Sequence, residues 1–593
     1  MVPTSKFLHT NYTPAPEELN DVRSLLHDSE EELRSLEEQI TQLEARRKEL
    51  KEFINHHRAL LSSARRIPRE VLEQIFIHCL PTDYFPLCSA SEPPLIFTTI
   101  CRKWREIAIS TPHLWKAIHI SLPPAFRPEM NDILTPIIEQ RQQGIQQWLK
   151  RSGCLPISFS LFAGTWYAGL GTEMLMLSPS SGNPVLNMYR PFIDMLVGYS
   201  SRWEHASFSR LPPSILEVLG TQQESAVPQL RVLHLDLANG DSGPLDNVAS
   251  LSNLIGLPTM QSLHLHGHSG SPLQYPVRWE NLADLQLTRP VGSVGGIVYQ
   301  DIALEILSRC SQRLKSVTLD IRPRRVVYVG PDLEFPHLLE LDLQFYNYTR
   351  TWLFPGDVPG GEEVLDVMKT FFDAINAPAL VHLGIKVDAG LKLPWTYDPP
   401  PFMSFIRRCK CDLRYLSLCM PLYDQVFLDC LPFMPSLAVL KLVEHRLDEV
   451  EHANGYLDPG SVSSQTITEL LVQALASPST PAFPGCQKLE KVHLISVSPS
   501  MAEPLYRLSR DRERPFRSFD VDFCDFLQGV KRKEVSSWLK ELRRHGTVVR
   551  WRSPVSQPSK VKGNAREGLL PSACLFNDVV LDPNTEQRLE VVY

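Results

Sequence analysis

From Leu19 onward the apolar residues fall at alternating steps of three and four: Leu19, Val22, Leu26, then Leu33, Leu36, Ile40, Leu43, Leu50, Ile54 and Leu61. Ten of the thirteen seam positions are apolar, and Ser29, Arg47 and His57 are the exceptions. The string EEELRSLEEQITQLEARRKELKEF holds no Gly or Pro. A 3.5-residue spacing keeps one apolar seam in line, so a long coiled-coil-like helix is expected over residues 19–64. Two readings fit it: a coiled coil that makes a homodimer, or a long helix packed on its own domain. Residues 1–18 are expected to be a disordered tail.

The pattern then shortens. In RRIPREVLEQIFIHCLP (65–81) Pro sits at a first-turn position, where its missing N–H costs nothing. Val71, Leu72, Ile75 and Phe76 follow on one helical face. A second short helix is expected from ICRKWREIAISTPHLW (100–115), with Ile100, Trp104, Ile107 and Ala108 on one side and the cations mostly on the other. Three short apolar stripes in about fifty-five residues bury little surface alone, so such a unit is expected to dock onto something.

Farther along, the period changes to two. The string L-x-x-L-x-L, with apolar swaps, starts at residues 230, 260, 282, 314, 338, 380, 413, 437, 489 and 516. Its last two apolar positions point to one face of a short strand and the residues between them to the other. Helical patterns separate the strings, as in YQDIALEILSRCSQRL (299–314), EEVLDVMKTFFDAI (362–375) and TITELLVQALA (466–476). Strand, helix, strand at this spacing predicts a parallel sheet with helices outside. IQQWLKRSGCLPISFSLFAG is expected to form helix, turn and strand, SRWEHASFSR a strand at 206–208, and KEVSSWLKELRRHGTVVRW a capping helix and strand with Gly546 as a C-cap.

Two resemblances follow from these residues. Ile67-Pro68, EVLEQIF, CRKWREIA and Leu114-Trp115 resemble an F-box, here residues 65–120. The resemblance implies binding to the Skp-family adaptor of a cullin–RING ubiquitin ligase, with Ile67, Pro68, Leu72, Ile75, Phe76, Cys101, Trp104 and Trp115 as adaptor-binding residues, of which Pro68, Leu72, Ile75, Phe76, Cys101 and Trp104 either face the adaptor or form the module's core. Ile67 stands where the family usually has Leu, and the spacer between the helices is longer, so Thr82–Pro94 is expected to form an extra loop. The later strings resemble leucine-rich repeats, implying a solenoid over 121–551 with a C-terminal cap, then a tail at 552–593. The Asn or Cys expected after each string is absent from the first nine, so an irregular solenoid is expected. The order F-box, WLKRSG, RWEH, repeats is similar to the F-box-like families of mushroom-forming fungi. The expected fold class is therefore α/β: a long helix, a helical F-box and an irregular leucine-rich-repeat solenoid. The expected function is a substrate receptor of an SCF-type ligase, reaching a cullin through the adaptor. The alternative is a non-catalytic scaffold dimerising through its N-terminal helix.

Composition narrows this further. At 593 residues the chain exceeds one compact core. Net charge is −7, which gives no electrostatic argument for nucleic acid or an anionic membrane. No apolar run reaches the ~18–20 residues of a spanning helix, and no secretory h-region opens the chain. The twelve cysteines show no framework spacing, so a cytoplasmic or nuclear protein with reduced thiols is expected. Prolines outnumber glycines, 49 to 29, as many loops between short elements would require.

No phosphate loop, dinucleotide fingerprint, nucleophile elbow or H-E-x-x-H appears, so neither an enzyme nor a cofactor is expected. His264, His266 and His268 alternate, but no Cys, Asp or Glu partner is close in sequence. Cys409 and Cys411 lack a second pair, so metal is not expected. If the strings stack, the residues between their leucines line an exposed face. Asp284, Asp320, Glu340 and Asp342 would make its middle acidic, and Lys386, Tyr415, Lys441 and Lys491 would line its more basic later part. That face is expected to bind a bipolar protein target.

Overall fold

The computed structural model describes residues 10, 12–13, 15–61, 63–122, 131–163, 184–211, 213–237, 251–268, 270–289, 296–310, 313–322, 332–346, 361–387, 400–420, 422, 424–443, 471, 475, 488–497, 499–511, 516–523, 532–544 and 547–552. The chain divides into two compact units, Met1–His78 and Cys79–Tyr593.

In the first unit one helix runs Pro16–Leu61. Glu18 caps its start by accepting a hydrogen bond from the Ala15 N–H at 2.9 Å. A second helix, Arg69–His78, begins just after Pro68, whose carbonyl accepts from the Leu72 N–H. The expected tail at 1–18 lies largely outside the described residues, and its last three residues are helical.

The second unit is α/β. Fourteen strands pair in chain order, all parallel: Ala117–Leu122, Ile157–Ala163, Trp203–Ser209, Val232–Asp236, Ser262–His266, Asp284–Thr288, Ser316–Arg322, Glu340–Phe345, His382–Val387, Tyr415–Cys419, Val439–Val443, Lys491–Val497, Ser518–Phe523 and Val548–Arg552. A short strand, Val298–Tyr299, pairs beside Ser316–Arg322, and Leu333–Glu334 pairs with Ile375–Asn376 in a small separate sheet. All ten L-x-x-L-x-L strings supply strands. The first strand, Ala117–Leu122, was not anticipated, although AIHISL alternates with period two.

The register explains why the sheet holds together. Leu233, Leu263, Leu285 and Val317 stand level, as do Leu235, Leu265, Leu287 and Leu319. The same two apolar rows continue to Val492 and Leu494, then Phe519 and Val521. These side chains are buried, each worth roughly 1.5–3 kcal/mol when fully removed from water. Parallel neighbours need a crossover of a dozen or more residues. Helices fill several of these, including Asn131–Arg151, Pro184–Val197, Gln300–Cys310, Gly361–Asp373, Pro401–Cys409 and Ala502–Asp511. They lock onto the sheet through aromatic side chains. Trp148 Nε1 donates to the Ala117 carbonyl at 3.2 Å, and Phe371 meets Phe345 edge-on. Gly153, at φ +61°, turns the chain from Asn131–Arg151 toward the next strand, a conformation that costs glycine little.

The missing Asn or Cys after the first nine strings leaves no gap in backbone pairing at the starts of the early strands. There, main-chain amides form the ladder: Gln261 N–H to the Arg231 carbonyl, Ala283 to Gln261, Lys315 to Ala283 and Leu339 to Lys315. Asn253 and Asn281 add side-chain donors to Gly220 and Pro258 on the preceding crossovers. The capping helix is Arg532–Arg544, with Leu539 and Leu542 buried. Gly546, most of 466–476 and the tail beyond Arg552 lie outside the described residues.

Candidate interaction surfaces

EVLEQIF lies on the short helix Arg69–His78 of the first unit, and CRKWREIA lies largely on the short helix Arg102–Ser110 of the second. On Arg69–His78, Leu72 and Phe76 are buried, whereas Pro68 is exposed and Val71 and Ile75 remain 47% and 41% exposed. An Arg69–Glu73 pair at 2.7 Å braces this helix. In the second unit, extended Cys101 (φ −160°) separates the helices Phe97–Ile100 and Arg102–Ser110. Ile100 is 56% exposed, Ile109 is 39% exposed and Cys101 is exposed; Trp104 is half-buried, edge-on to Phe97.

Trp115 corrects its expected role. It is fully enclosed, its Nε1 donating to the Ala108 carbonyl at 2.7 Å. Its ring meets Trp148 edge-on at 4.9 Å, with the Arg151 guanidinium 4.5 Å from its centroid. Leu72 and Phe76 are likewise interior residues, in the place that module-core residues take. The physical reason is shared: each side chain is spent on the core of its own chain and presents no surface.

The extra spacer has a definite position. Leu87 bridges to His119 in parallel with the first strand, and the His119 N–H donates to the Pro86 carbonyl. Phe85 meets the His205 ring edge-on at 4.9 Å.

The sheet face opposite the leucines is polar and largely half-buried. Its first part carries stacked imidazoles from successive strands. His205 meets His234 at 4.5 Å, and His234 lies flat on His264 at 3.8 Å with 9° between the planes. His264 Nε2 then bonds Asp284, which also accepts from Ser262 Oγ at 2.7 Å. Burial pushes the Asp284 carboxyl up, but the bonds from His264 and Ser262 outweigh it and leave it below its ordinary value. Burial lowers His205 to about 4; burial and the neighbouring imidazoles lower His234 to about 2. His268, almost fully buried, is lowered to about 4, chiefly by burial. These imidazoles are therefore neutral at pH 7.

Cross-strand His–Asp pairs recur farther on. His382 Nε2 lies 3.2 Å from Asp342, and His493 Nε2 lies 3.0 Å from Asp522. Gly384 is level with Asp342, and a Cβ there would collide with the Asp342 carboxylate. Glycine thus makes room for the acid to lie across its strand. His382 also stacks on Tyr415 at 4.0 Å.

Most of the expected target-binding residues line this face. Glu340, Lys386 and Lys491 are exposed, while Asp284, Asp342, Tyr415 and Lys441 are half-buried. Asp320 is a correction, being only 4% exposed. It accepts the Arg289 N–H at 2.6 Å, and burial raises its carboxyl to about 6 against the pull of Arg289 and Lys386. The Arg289 guanidinium lies 3.4 Å from the Tyr346 ring centroid. The histidine stack was missed, yet its signal was present: LRVLHL and MQSLHL place His234 and His264 at the same position of the string.

Cys409 is buried and accepts the Ala377 N–H on its sulfur, and burial raises the Cys409 and Cys411 thiols, the latter to about 11. Among the described residues no three His, Cys, Asp or Glu side chains converge as a metal site, and no helix is long and apolar enough to cross a membrane. No protein-family model matches this chain, and no curated protein matches it.

Proposed function

We propose that the chain is a substrate receptor of an SCF-type ubiquitin ligase. Its F-box docks the Skp-family adaptor and through it a cullin, and its sheet face holds a protein target. The ten aligned strings support reading the second unit as an irregular leucine-rich-repeat solenoid. The observation that carries the docking half is made in each unit separately: Val71 and Ile75 stay exposed on Arg69–His78 in the first, and Ile100 and Ile109 stay exposed in the second. Large apolar side chains left in water on short helices suit a partner that buries them. Residues for adaptor contact are Ile67, Pro68, Val71, Ile75, Ile100, Cys101 and Trp104. Target contact falls to Asp284, Glu340, Asp342, Lys386, Tyr415, Lys441 and Lys491. Ubiquitin transfer then proceeds by proximity, with no reacting group from this chain.

Affinity capture with the full chain tests the reading. Wild type retains adaptor and cullin, and Val71→Glu/Ile75→Glu weakens capture about 30-fold or more, since truncating one apolar hot spot costs ≥ ~2 kcal/mol. Capture unchanged by the double variant ends the docking assignment. Adaptor without cullin favours the scaffold reading.

A further inference from the structure

The helix Pro16–Leu61 carries its apolar seam in the open. Leu26, Leu33, Leu36, Ile40, Leu43 and Leu50 are all exposed, Leu43 by 69%. An isolated helix gains little from its own hydrogen bonds, and most helical stability comes from packing an apolar stripe. The 3.5-residue spacing fits another helix of the same spacing.

Charge says which helix, and in which direction. Residues 16–45 hold ten carboxylates and two arginines, whereas residues 46–61 hold five Lys or Arg and two carboxylates. The helix is acidic in its first part and basic in its last. In a parallel, in-register pair Arg47 would face Arg47 in the seam, with Glu32 beside Glu37 and Arg46 beside Lys51 at the flanks. Like charges meet at each of these places. Antiparallel helices set each flank against the same flank of the partner. Glu30 and Glu37 share a flank with Lys51 and Arg58, and Glu32 shares one with Arg46. An overlap that levels Arg47 with Leu43 brings Glu30 beside Arg58 and Glu37 beside Lys51 and separates the two Arg47 guanidiniums, while like charges meet at the flanks only at the midpoint, Glu44 on Glu44 and Arg46 on Arg46.

We propose that a second copy of this chain covers the seam, forming an antiparallel coiled-coil homodimer with the acidic part of each helix beside the basic part of the other. The overlap then runs over residues 29–61 of each copy, and the two Leu61 ends lie about 50 Å apart at 1.5 Å per residue. The proposal stands independently of the ligase reading.

Sedimentation of the full chain at micromolar concentration is expected to give twice the chain mass. Glu30→Lys/Glu37→Lys weakens the dimer tenfold or more, and adding Lys51→Glu/Arg58→Glu restores it. A photo-crosslinking amino acid replacing Glu32 joins the second copy near residues 56–60. A monomer under these conditions overturns the proposal. So do crosslinks to residues 28–37 of the second copy, or a charge swap that fails to restore the dimer.

Discussion

The long helix and the sheet invest the same residue, leucine, in opposite ways. In the helix the leucines recur every 3.5 residues and stay exposed. In the sheet they recur every second residue, and the next strand, already tethered, brings their neighbours into register. A period sets which residues share a face. Burial within the chain also requires that the chain return to supply the other half.

The sharpest way to break this contrast is to truncate one leucine on each side of it. Leu263→Ala empties a fully buried site between two level leucines. It is expected to destabilise the sheet unit by about 2–5 kcal/mol, measured by urea unfolding of the full chain. A loss under about 1 kcal/mol would mean the sheet interior is loosely packed.

Acid provides the next largest effect. His205 and His268 take protons near 6.5 when unfolded but near 4 when folded, and His234 lower still. The unfolded chain therefore binds more protons between pH 6.5 and 4. Stability falls on acidification through that window by about 1.4 kcal/mol per pH unit for each such imidazole. Asp320 opposes this, because its folded value near 6 exceeds its ordinary 3.8 and its contribution is lost as pH rises through 6. The imidazoles outnumber it, so the net slope is acid loss. A His205→Asn/His234→Gln variant should flatten the unfolding midpoint against pH, and an unchanged slope would count against the neutral stack.

The smallest effect belongs to the helix. Leu43→Ala, at an exposed position of a good helix former, should change sheet-unit unfolding by less than about 0.5 kcal/mol. The same measurement on both leucine variants puts the two regions on one scale, and equal losses would erase the distinction.

Much of the sheet was legible because LRVLHL, LADLQL and their kin carry strand period and strand order together. The first strand escaped notice because AIHISL follows directly on Trp115 and lacks the leading leucine. The site was less legible. Sequence tells that Leu72 and Ile75 share a helix but not that one is enclosed and the other exposed. Asp320 looked like any residue beyond the string, yet Arg289, thirty-one positions earlier, comes down on it. Such contacts depend on the lengths of crossovers, and the strings say nothing about where those crossovers lead.

Chain order in the sheet carries a consequence for how this protein can change. Among the described residues each of the fourteen strands pairs with the one before it and the one after it in that line, Ser316–Arg322 also taking Val298–Tyr299, so lengthening a crossover mainly adds loop-closure entropy, which grows slowly with length. New segments can therefore accumulate between strands, or a strand–crossover pair can be duplicated, without disturbing distant partners. The spacing of string starts, from 22 residues to 52, is the variation that such tolerance permits.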